Sequence, residues 1–403
     1  MIKFCATLAA VVGSLFFGLL TSAGAADDIV VGFAIGQTGL MQPLDVDASR
    51  MALLYFDELN ARGGLLGKKV RPVIIDTKSD MQESAKAGAE LVKENASVVF
   101  TSCDYDFGAP AALQAQRAGV ISVFLCAGDP KAGILGVGPL SFTAGTAAQV
   151  EGATLADWGY AKQGYRSAYT LLDNSIEYDK SVCAGFEWAF AKRGGQIVGK
   201  DTFKNGDASI ASQVTRITSA MGDKKVDALV LCSYPPGGAS AVRQLRAAGI
   251  KLPILAGSAM DGGYWLSASP DLSDFYVAVF DATAVDDPRP EVKALTERYK
   301  AKLGSPPATM YAYPIYGWLQ LWTKAVGEAG TTDGKAVVKA METYNNQPTL
   351  LGPKTYTSKL HIQVHAPLII KTVTHGEEKF VTFWTFEDEI PNNILFRTQA
   401  QEK

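Results

Sequence analysis

The chain has 403 residues, of which 47% are hydrophobic, with 38 basic and 41 acidic side chains and a formal net charge of −3. This near balance leaves no basic surface for nucleic acid or anionic lipid, so we expect no nucleic-acid partner. The length exceeds that of a usual single domain and predicts two lobes, each with its own core.

The N-terminal segment differs from the rest of the chain. One charged residue, Lys3, precedes an apolar run over residues 4–20, and small residues follow. This order predicts a secretory signal peptide over residues 1–26, cleaved after Ala25 or Ala26. A retained membrane anchor is the alternative, but the apolar run is shorter than the ~20 residues that a span requires. We therefore expect an exported mature chain that is not inserted in a membrane.

Strands and helices alternate along the mature sequence in two series. In the first series, strands are predicted at 29–35, 70–75, 98–101 and 120–125, and helices at 47–61, 82–94 and 109–118. In the second series, helices are predicted at 149–162, 180–192, 209–221 and 238–248, and strands at 167–172, 196–200, 226–231 and 253–256. Apolar strands separated by single helices predict an α/β fold with mostly parallel sheets.

The C-terminal third contains too few predicted strands to form a third core. Predicted elements there are a strand at 275–280, helices at 290–303, 311–329 and 334–344, and a hairpin of strands at 368–373 and 380–384. These pieces are expected to complete both lobes, with three crossings that form a hinge beside a cleft. The predicted lobes are 27–143 plus 277–350, and 144–276 plus 351–403.

Four cysteines remain after processing, namely Cys103, Cys126, Cys183 and Cys232. Two disulfides can form in an oxidising compartment. Cys103 and Cys126 each end a predicted strand, one βα unit apart, so a bridge between them is geometrically plausible. The pairing stays open at this point, and free buried thiols are equally consistent with the sequence.

Catalytic motifs are absent from the sequence. His361, His365 and His375 all lie in the last tenth of the chain, and Pro367 argues against a helix that would bring the first two together on one face. There is no nucleophile elbow and no dinucleotide-binding glycine motif after the first strand. We therefore expect no enzyme activity, no catalytic residue, no metal and no cofactor.

Four segments of the mature chain carry a family resemblance: 57–70 (DELNARGGLLGKKV), 80–92, 173–178 (DNSIEY) and 245–250 (LRAAGI). Together, and in this order, they resemble the leucine/isoleucine/valine-binding family of type I periplasmic binding proteins. The resemblance implies a monomeric, bilobed periplasmic protein that hands a small-molecule solute to the permease subunits of an ABC-type importer. The alternative is a ligand-sensing subunit of a signalling receptor, because both roles need only a ligand that favours the closed lobes.

The resemblance also implies a set of ligand-binding residues on the loops that follow the strands. The first lobe would contribute Gln37, Thr38, Cys103, Asp104, Tyr105, Cys126, Ala127 and Gly128. The second lobe would contribute Tyr178, Tyr234 and Asp261, with Tyr311 from the returning segment. Amino-acid-binding members resemble one another in a hydroxyl-rich loop that holds the ligand carboxylate.

This chain departs from that pattern in the loops at 103–107 and 126–130, which lack the hydroxyl groups of serine and threonine. An ionised aspartate about 4 Å from a ligand carboxylate costs roughly 4 kcal/mol at an effective dielectric of about 20. The sequence leaves the ligand open between a branched-chain amino acid and an aromatic acid, amide or amine. Asp106 and Asp129 precede helical segments and are interpreted as N-caps. Asp104 is interpreted as a ligand contact.

Overall fold

The computed structural model describes residues 28–223 and 225–398. The predicted signal peptide at 1–26 lies outside the described residues. Within the described part of the chain, no helix is long and apolar enough to cross a membrane.

The first sheet is entirely parallel, in the order β2-β1-β3-β4-β5. Its strands are β1 (Ile29–Ile35), β2 (Val70–Asp76), β3 (Val98–Thr101), β4 (Ile121–Phe124) and β5 (Ser141–Thr143), with helices α1 (Gln42–Ala61), α2 (Met81–Lys93) and α3 (Tyr105–Arg117) between them. All residues of β3 and β4 are buried, as expected for strands that helices cover on both faces. The strand β5 was not predicted, because three residues are too few to show a pattern.

The second sheet has seven strands in the order β12-β11-β10-β9-β8-β6-β7. Its elements are α4 (Ala148–Trp158), β6 (Ser167–Asp173), α5 (Glu177–Lys192), β7 (Gln196–Phe203), α6 (Ala211–Asp223), β8 (Ala228–Cys232), α7 (Gly237–Ala247), β9 (Ile254–Ala256), β10 (Phe275–Val279), β11 (Leu368–Thr374) and β12 (Glu377–Trp384). The strands from β7 to β10 pair in parallel, and the β11–β12 hairpin joins antiparallel. The prediction of mostly parallel sheets in an α/β fold is confirmed.

The helices α8 (Pro290–Leu303), α9 (Pro314–Ala329) and α10 (Gly334–Met341) follow β10, and the short α11 (Asn392–Leu395) follows β12. Two contacts fix α8 and α9 on α1: the Tyr299 hydroxyl donates to Asp47 at 2.7 Å, and the Tyr55 and Thr323 hydroxyls lie 2.7 Å apart. The chain therefore passes from the first sheet to the second, back to α1, and again to the second.

The crossings lie a few residues beyond the predicted boundaries. The boundary at 276/277 falls inside β10, all of which pairs with β11 in the second sheet. Residues just after 351 still pack against the first sheet, since the Tyr356 ring meets the Phe142 ring edge-on at 5.2 Å. The His361 ring stacks on the same phenylalanine at 3.8 Å. These positions were hard to predict because an apolar segment fits either core.

Two disulfides join neighbouring elements. Cys103 is bonded to Cys126 with Cα atoms 4.5 Å apart, which ties the loops that follow β3 and β4. Cys183 is bonded to Cys232 with Cα atoms 5.8 Å apart, which ties α5 to the end of β8.

The second and third crossings are joined by a buried ion pair between Asp281 and Lys354. Each side chain is only 3% exposed. A buried pair gives little net stability by itself, but removal of one partner leaves the other charge unpaired in a low-dielectric site.

Asp281→Asn is therefore expected to lower the free energy of unfolding by about 3–5 kcal/mol, because Lys354 loses its carboxylate partner. Asp286→Asn is the matched control, since Asp286 is exposed and both residues have a positive φ that asparagine tolerates. Urea denaturation of both variants measures the difference. Equal stability of the two variants would refute this role for the pair.

Candidate functional site

The loops that follow the parallel strands of both sheets converge on one cleft, as is general for open α/β sheets. The cleft has a volume of about 700 Å³. Its first-lobe wall is the start of α1 with the preceding loop, including Gly39 and Leu44. Its second-lobe wall contains Tyr234, Trp265 and the start of α7.

Asp45 holds the first-lobe loops in place. Its carboxylate is fully buried and accepts hydrogen bonds from the backbone N–H groups of Gly36 at 2.8 Å and Cys103 at 2.7 Å. Burial raises the pKa of Asp45 to about 6, against the effect of these hydrogen bonds. Sequence analysis missed this residue because an aspartate in the first turn of a helix is common for electrostatic reasons alone.

Gln37 and Thr38 are exposed. Their backbone N–H groups donate to Asp76 at 2.9 and 3.2 Å, and the Thr38 hydroxyl donates to the same carboxylate at 2.8 Å. The polar groups predicted to meet a ligand are therefore directed to Asp76 at the end of β2.

Asp104 has a different role from the one predicted. Its carboxylate caps α3 and accepts hydrogen bonds from the N–H groups of Asp106 at 2.9 Å and Phe107 at 3.3 Å. Asp106, predicted as the cap, instead accepts the N–H of Glu177 in the second lobe at 2.9 Å. The prediction for Asp129 agrees with the structure, since this carboxylate caps the following 3₁₀ turn through the Lys131 N–H at 2.9 Å.

The remaining first-lobe residues predicted as ligand contacts are mostly buried and do not line the cleft. Cys103 and Cys126 are joined by the disulfide, and the Ala127 carbonyl accepts the Thr143 hydroxyl at 2.5 Å. Tyr105 is partly buried and stacks on Phe124 at 6.3 Å.

Gly128 lies close to Tyr178 of the second lobe. A Cβ at this position would lie 3.2 Å from the Tyr178 ring. Only glycine therefore leaves ordinary van der Waals room for Tyr178.

Tyr178 and Tyr311, both predicted as ligand contacts, are brought together through two residues that sequence analysis missed. The Tyr178 hydroxyl donates to Glu151 at 2.7 Å and lies 3.2 Å from the Ser258 hydroxyl. The Ser258 hydroxyl lies 2.7 Å from that of Tyr311, and its N–H donates to the same Glu151 oxygen, Oε2, at 2.7 Å. The other oxygen, Oε1, is buried and has no partner among the described residues. Burial raises the pKa of Glu151 to about 7.

Asp261 is not available as the acidic ligand contact predicted for it. One carboxylate oxygen accepts the buried Lys371 ammonium at 2.5 Å, and the other accepts the Met310 N–H at 2.7 Å. Lys371 also reaches Glu378 at 2.9 Å. Asp261 therefore joins the second sheet to the segment that returns toward α9. Sequence analysis could not identify this role, because the lysine partner lies 110 residues away in sequence.

Tyr234 is buried and lines the cleft. Its carbonyl accepts the Asn205 side-chain amide at 2.7 Å, which fixes the loop after β8. Burial and the negative charges of Asp179 and Asp173 raise the pKa of Tyr234 well above its ordinary value.

Three polar contacts hold the lobes together beside these tyrosines. Besides the Asp106–Glu177 hydrogen bond, the Lys131 ammonium lies 2.5 Å from the Glu177 carboxylate, and the Ser181 hydroxyl donates to Asp129 at 2.7 Å. Burial opposes ionisation of Glu177, but the hydrogen bonds from Lys131 and Lys180 and the charge of Arg397 lower its pKa to about 2.

Glu151 makes the stability of the ligand-free protein depend on pH. Because its pKa rises from 4.5 to about 7 on folding, its stabilising effect is complete below the lower value. That effect is lost as the pH rises through the higher value, and the free energy of unfolding falls by ~3 kcal/mol in total. Glu151→Gln is expected to reduce the decline in unfolding free energy between about pH 5 and pH 8. Denaturant titration at both pH values measures it, with exposed Glu297→Gln as control. An undiminished decline in Glu151→Gln would contradict the assignment.

Comparison with known proteins agrees with the family resemblance seen in the sequence. A family model described as "Periplasmic binding protein" matches residues 28–377. The Leu/Ile/Val-binding protein BraC3 of Rhizobium johnstonii is 24% identical over 351 residues, covering 86% of this chain and 91% of that protein.

Two solved structures share the fold. The branched-chain amino acid transporter substrate-binding protein LivJ of Streptococcus pneumoniae, in complex with isoleucine, superposes with a TM-score of 0.75 at 24% identity, covering 88% of this chain and 99% of that one. A solute-binding protein of an ABC transporter from R. palustris, in complex with benzoate, superposes with a TM-score of 0.74 at 18% identity, covering 90% of this chain and 98% of that one. On the family match over most of its length, the chain belongs to the periplasmic binding proteins.

Proposed function

We propose that this protein is the periplasmic solute-binding component of an ABC-type importer. It acts as a monomer, captures one small organic solute between its lobes, and presents the closed form to the permease subunits. The observation that carries the proposal is the cleft of about 700 Å³ lined from both lobes. A volume of this size suits an amino acid or a single-ring aromatic compound. The relatives named for leucine, isoleucine and valine and the benzoate complex support the same range of solutes.

The closed arrangement is stabilised by contacts that form only when the two lobes meet. Asp106, Asp129 and Lys131 belong to the first lobe, and their partners Glu177 and Ser181 lie on α5 of the second. A ligand that bridges the walls adds to these contacts and shifts the population toward the closed form. The closed form is the species that a transporter can distinguish from the empty protein.

A ligand screen with a shape measurement tests this function. Ligand-stripped mature protein is screened by thermal shift against amino acids, aromatic acids, amides, amines and polyols. A ligand at a hundredfold excess over its Kd stabilises the folded state by about 2.7 kcal/mol and raises the Tm. Small-angle scattering with the compound that binds is expected to show a smaller radius of gyration. Saturable binding without compaction would refute the closure mechanism.

Glu177→Gln is expected to weaken solute binding severalfold, because Glu177 loses the charge that attracts Lys131 and the open form becomes more populated. Glu83→Gln is the control, because Glu83 forms a similar lysine pair on an exposed helix face. Calorimetry gives the Kd, and small-angle scattering of the free proteins gives the average opening. Identical Kd values for the two variants would exclude a role for Glu177 in closure.

A further inference from the structure

A cluster of carboxylates lies beside the cleft, where the Asn205 amide that holds the Tyr234 carbonyl also donates to Asp173 at 2.8 Å. This acidic pocket comprises the side chains of Asp104, Asp106, Asp129, Asp173, Glu177 and Asp179, contributed by both lobes. The negative charges of Asp173, Asp104 and Asp106 act on Asp179, and those of Asp179, Asp173, Asp104 and Asp106 act on Tyr234. The acidic pocket therefore lies behind Tyr234, which itself lines the cleft.

The cations near the acidic pocket are all bound to one of its members. Lys131, Lys180 and Arg397 each form an ion pair with Glu177, and Arg397 also lies 3.2 Å from Asp129. Arg243 lies at the exposed rim of the cleft. Among the described residues, no ion pair reaches the four carboxylates Asp104, Asp106, Asp173 and Asp179. The acidic pocket thus has an excess of negative charge.

Asp179 is the least satisfied member of the acidic pocket. It is fully buried, and neither carboxylate oxygen has a hydrogen-bond partner among the described residues. Asp173, also fully buried, accepts hydrogen bonds from Ser175, Asn205 and Ser233. A buried carboxylate without donors is strongly unfavourable, so such a group points to donors that arrive from outside the chain.

The backbone N–H groups nearest the acidic pocket that could hold an anion are already occupied. The first N–H groups of a helix are a ready site for a ligand carboxylate. At α3 they donate to Asp104, and at α5 the N–H of Glu177 donates to Asp106. The unmet hydrogen-bonding capacity of Asp179 and of Glu151 Oε1 consists of acceptors. No group of three or more metal-ligating side chains is arranged to hold a metal ion in the described part of the chain.

Building on the proposed solute-binding function, we propose that the solute is an organic cation with N–H donors, an ammonium, amidinium or guanidinium group, which binds Asp179 in the acidic pocket. The rest of the solute extends past the Tyr234 ring into the cleft. Tyrosine suits this position because its π face attracts a cation and its ring packs against apolar groups.

The proposed binding is coupled to release of a proton. Burial, then the charges of Asp173, Asp104 and Asp106, raise the pKa of Asp179 well above its ordinary value, which favours the neutral acid in the empty site. When a cation arrives, its charge favours the carboxylate, and the carboxyl proton leaves to solvent while the ligand keeps its own protons. Calorimetry in buffers of different ionisation enthalpy detects this proton.

The test uses matched probes that differ in charge. Benzamidine and phenethylamine are the cations, benzamide is the neutral isostere of benzamidine, and benzoate and leucine represent the anion and the zwitterion. Each is titrated into the ligand-stripped mature protein by calorimetry and thermal shift. The proposal expects a cation to bind with proton release, and benzamide, benzoate and leucine to bind at least about tenfold more weakly.

Variants connect the effect to Asp179. Asp179→Asn is expected to weaken cation binding about ten- to a hundredfold, whereas exposed Asp271→Asn leaves it unchanged. Asp179→Leu is expected to raise the Tm of the ligand-free protein, because an unpaired buried acid is removed. If the Asp179 variants do not fold, Asp104→Asn serves instead, since asparagine caps a helix as well as aspartate and only the charge is lost.

The outcomes separate this inference from the proposed function. Binding of benzoate or leucine that is as tight in Asp179→Asn as in the wild type would overturn the cation proposal and leave solute binding intact. Tight benzamide binding without proton release would do the same. If no probe of any charge binds, both the inference and the proposed function fail.

Discussion

The N-termini of α3 and α5, where the two lobes meet, are occupied by carboxylates of the chain itself. Asp104 caps α3, and Asp106 accepts the first N–H of α5 from across the cleft. A helix N-terminus carries a partial positive charge, so each carboxylate neutralises a place where a solute anion could bind. The same hydrogen bonds also fix how α3 and α5 approach each other. The charge of the acidic pocket and the contact between the lobes therefore have one physical origin.

The position of the two walls depends in turn on buried lysines at the crossings. Lys371 lies against Asp261 and Glu378, and Lys354 lies against Asp281, all with little exposure to water. Asp261 also accepts the Met310 N–H, so one carboxylate connects the second sheet with the returning segment. Charges buried in this way have few alternative partners, which favours a single arrangement of the hinge. Such an arrangement lets the tyrosines of both lobes meet at Ser258.

The sequence predicted the features that depend on local pattern. The apolar strands, the intervening helices and the α/β class followed from periodicity. The roles of Asp104 and Asp106 could not be assigned, because two acids before one helix are distinguished only by backbone conformation. Asp261 was misassigned for another reason: a long-range partner, Lys371, decides which groups its oxygens meet. Local rules do not contain that information.

Glu151 and Asp179 make the empty protein less stable than its core would allow. Each is fully buried, and each leaves at least one carboxyl oxygen without a donor among the described residues. Burial raises the pKa of both groups, so protonation relieves the charge but does not supply the missing donors. A solute with N–H donors would form the missing hydrogen bonds to these oxygens. Each hydrogen bond formed would stabilise the closed form further. In the proposed mechanism, the unsatisfied acceptors would couple ligand recognition to closure, because only the closed lobes bring both walls to the solute at once.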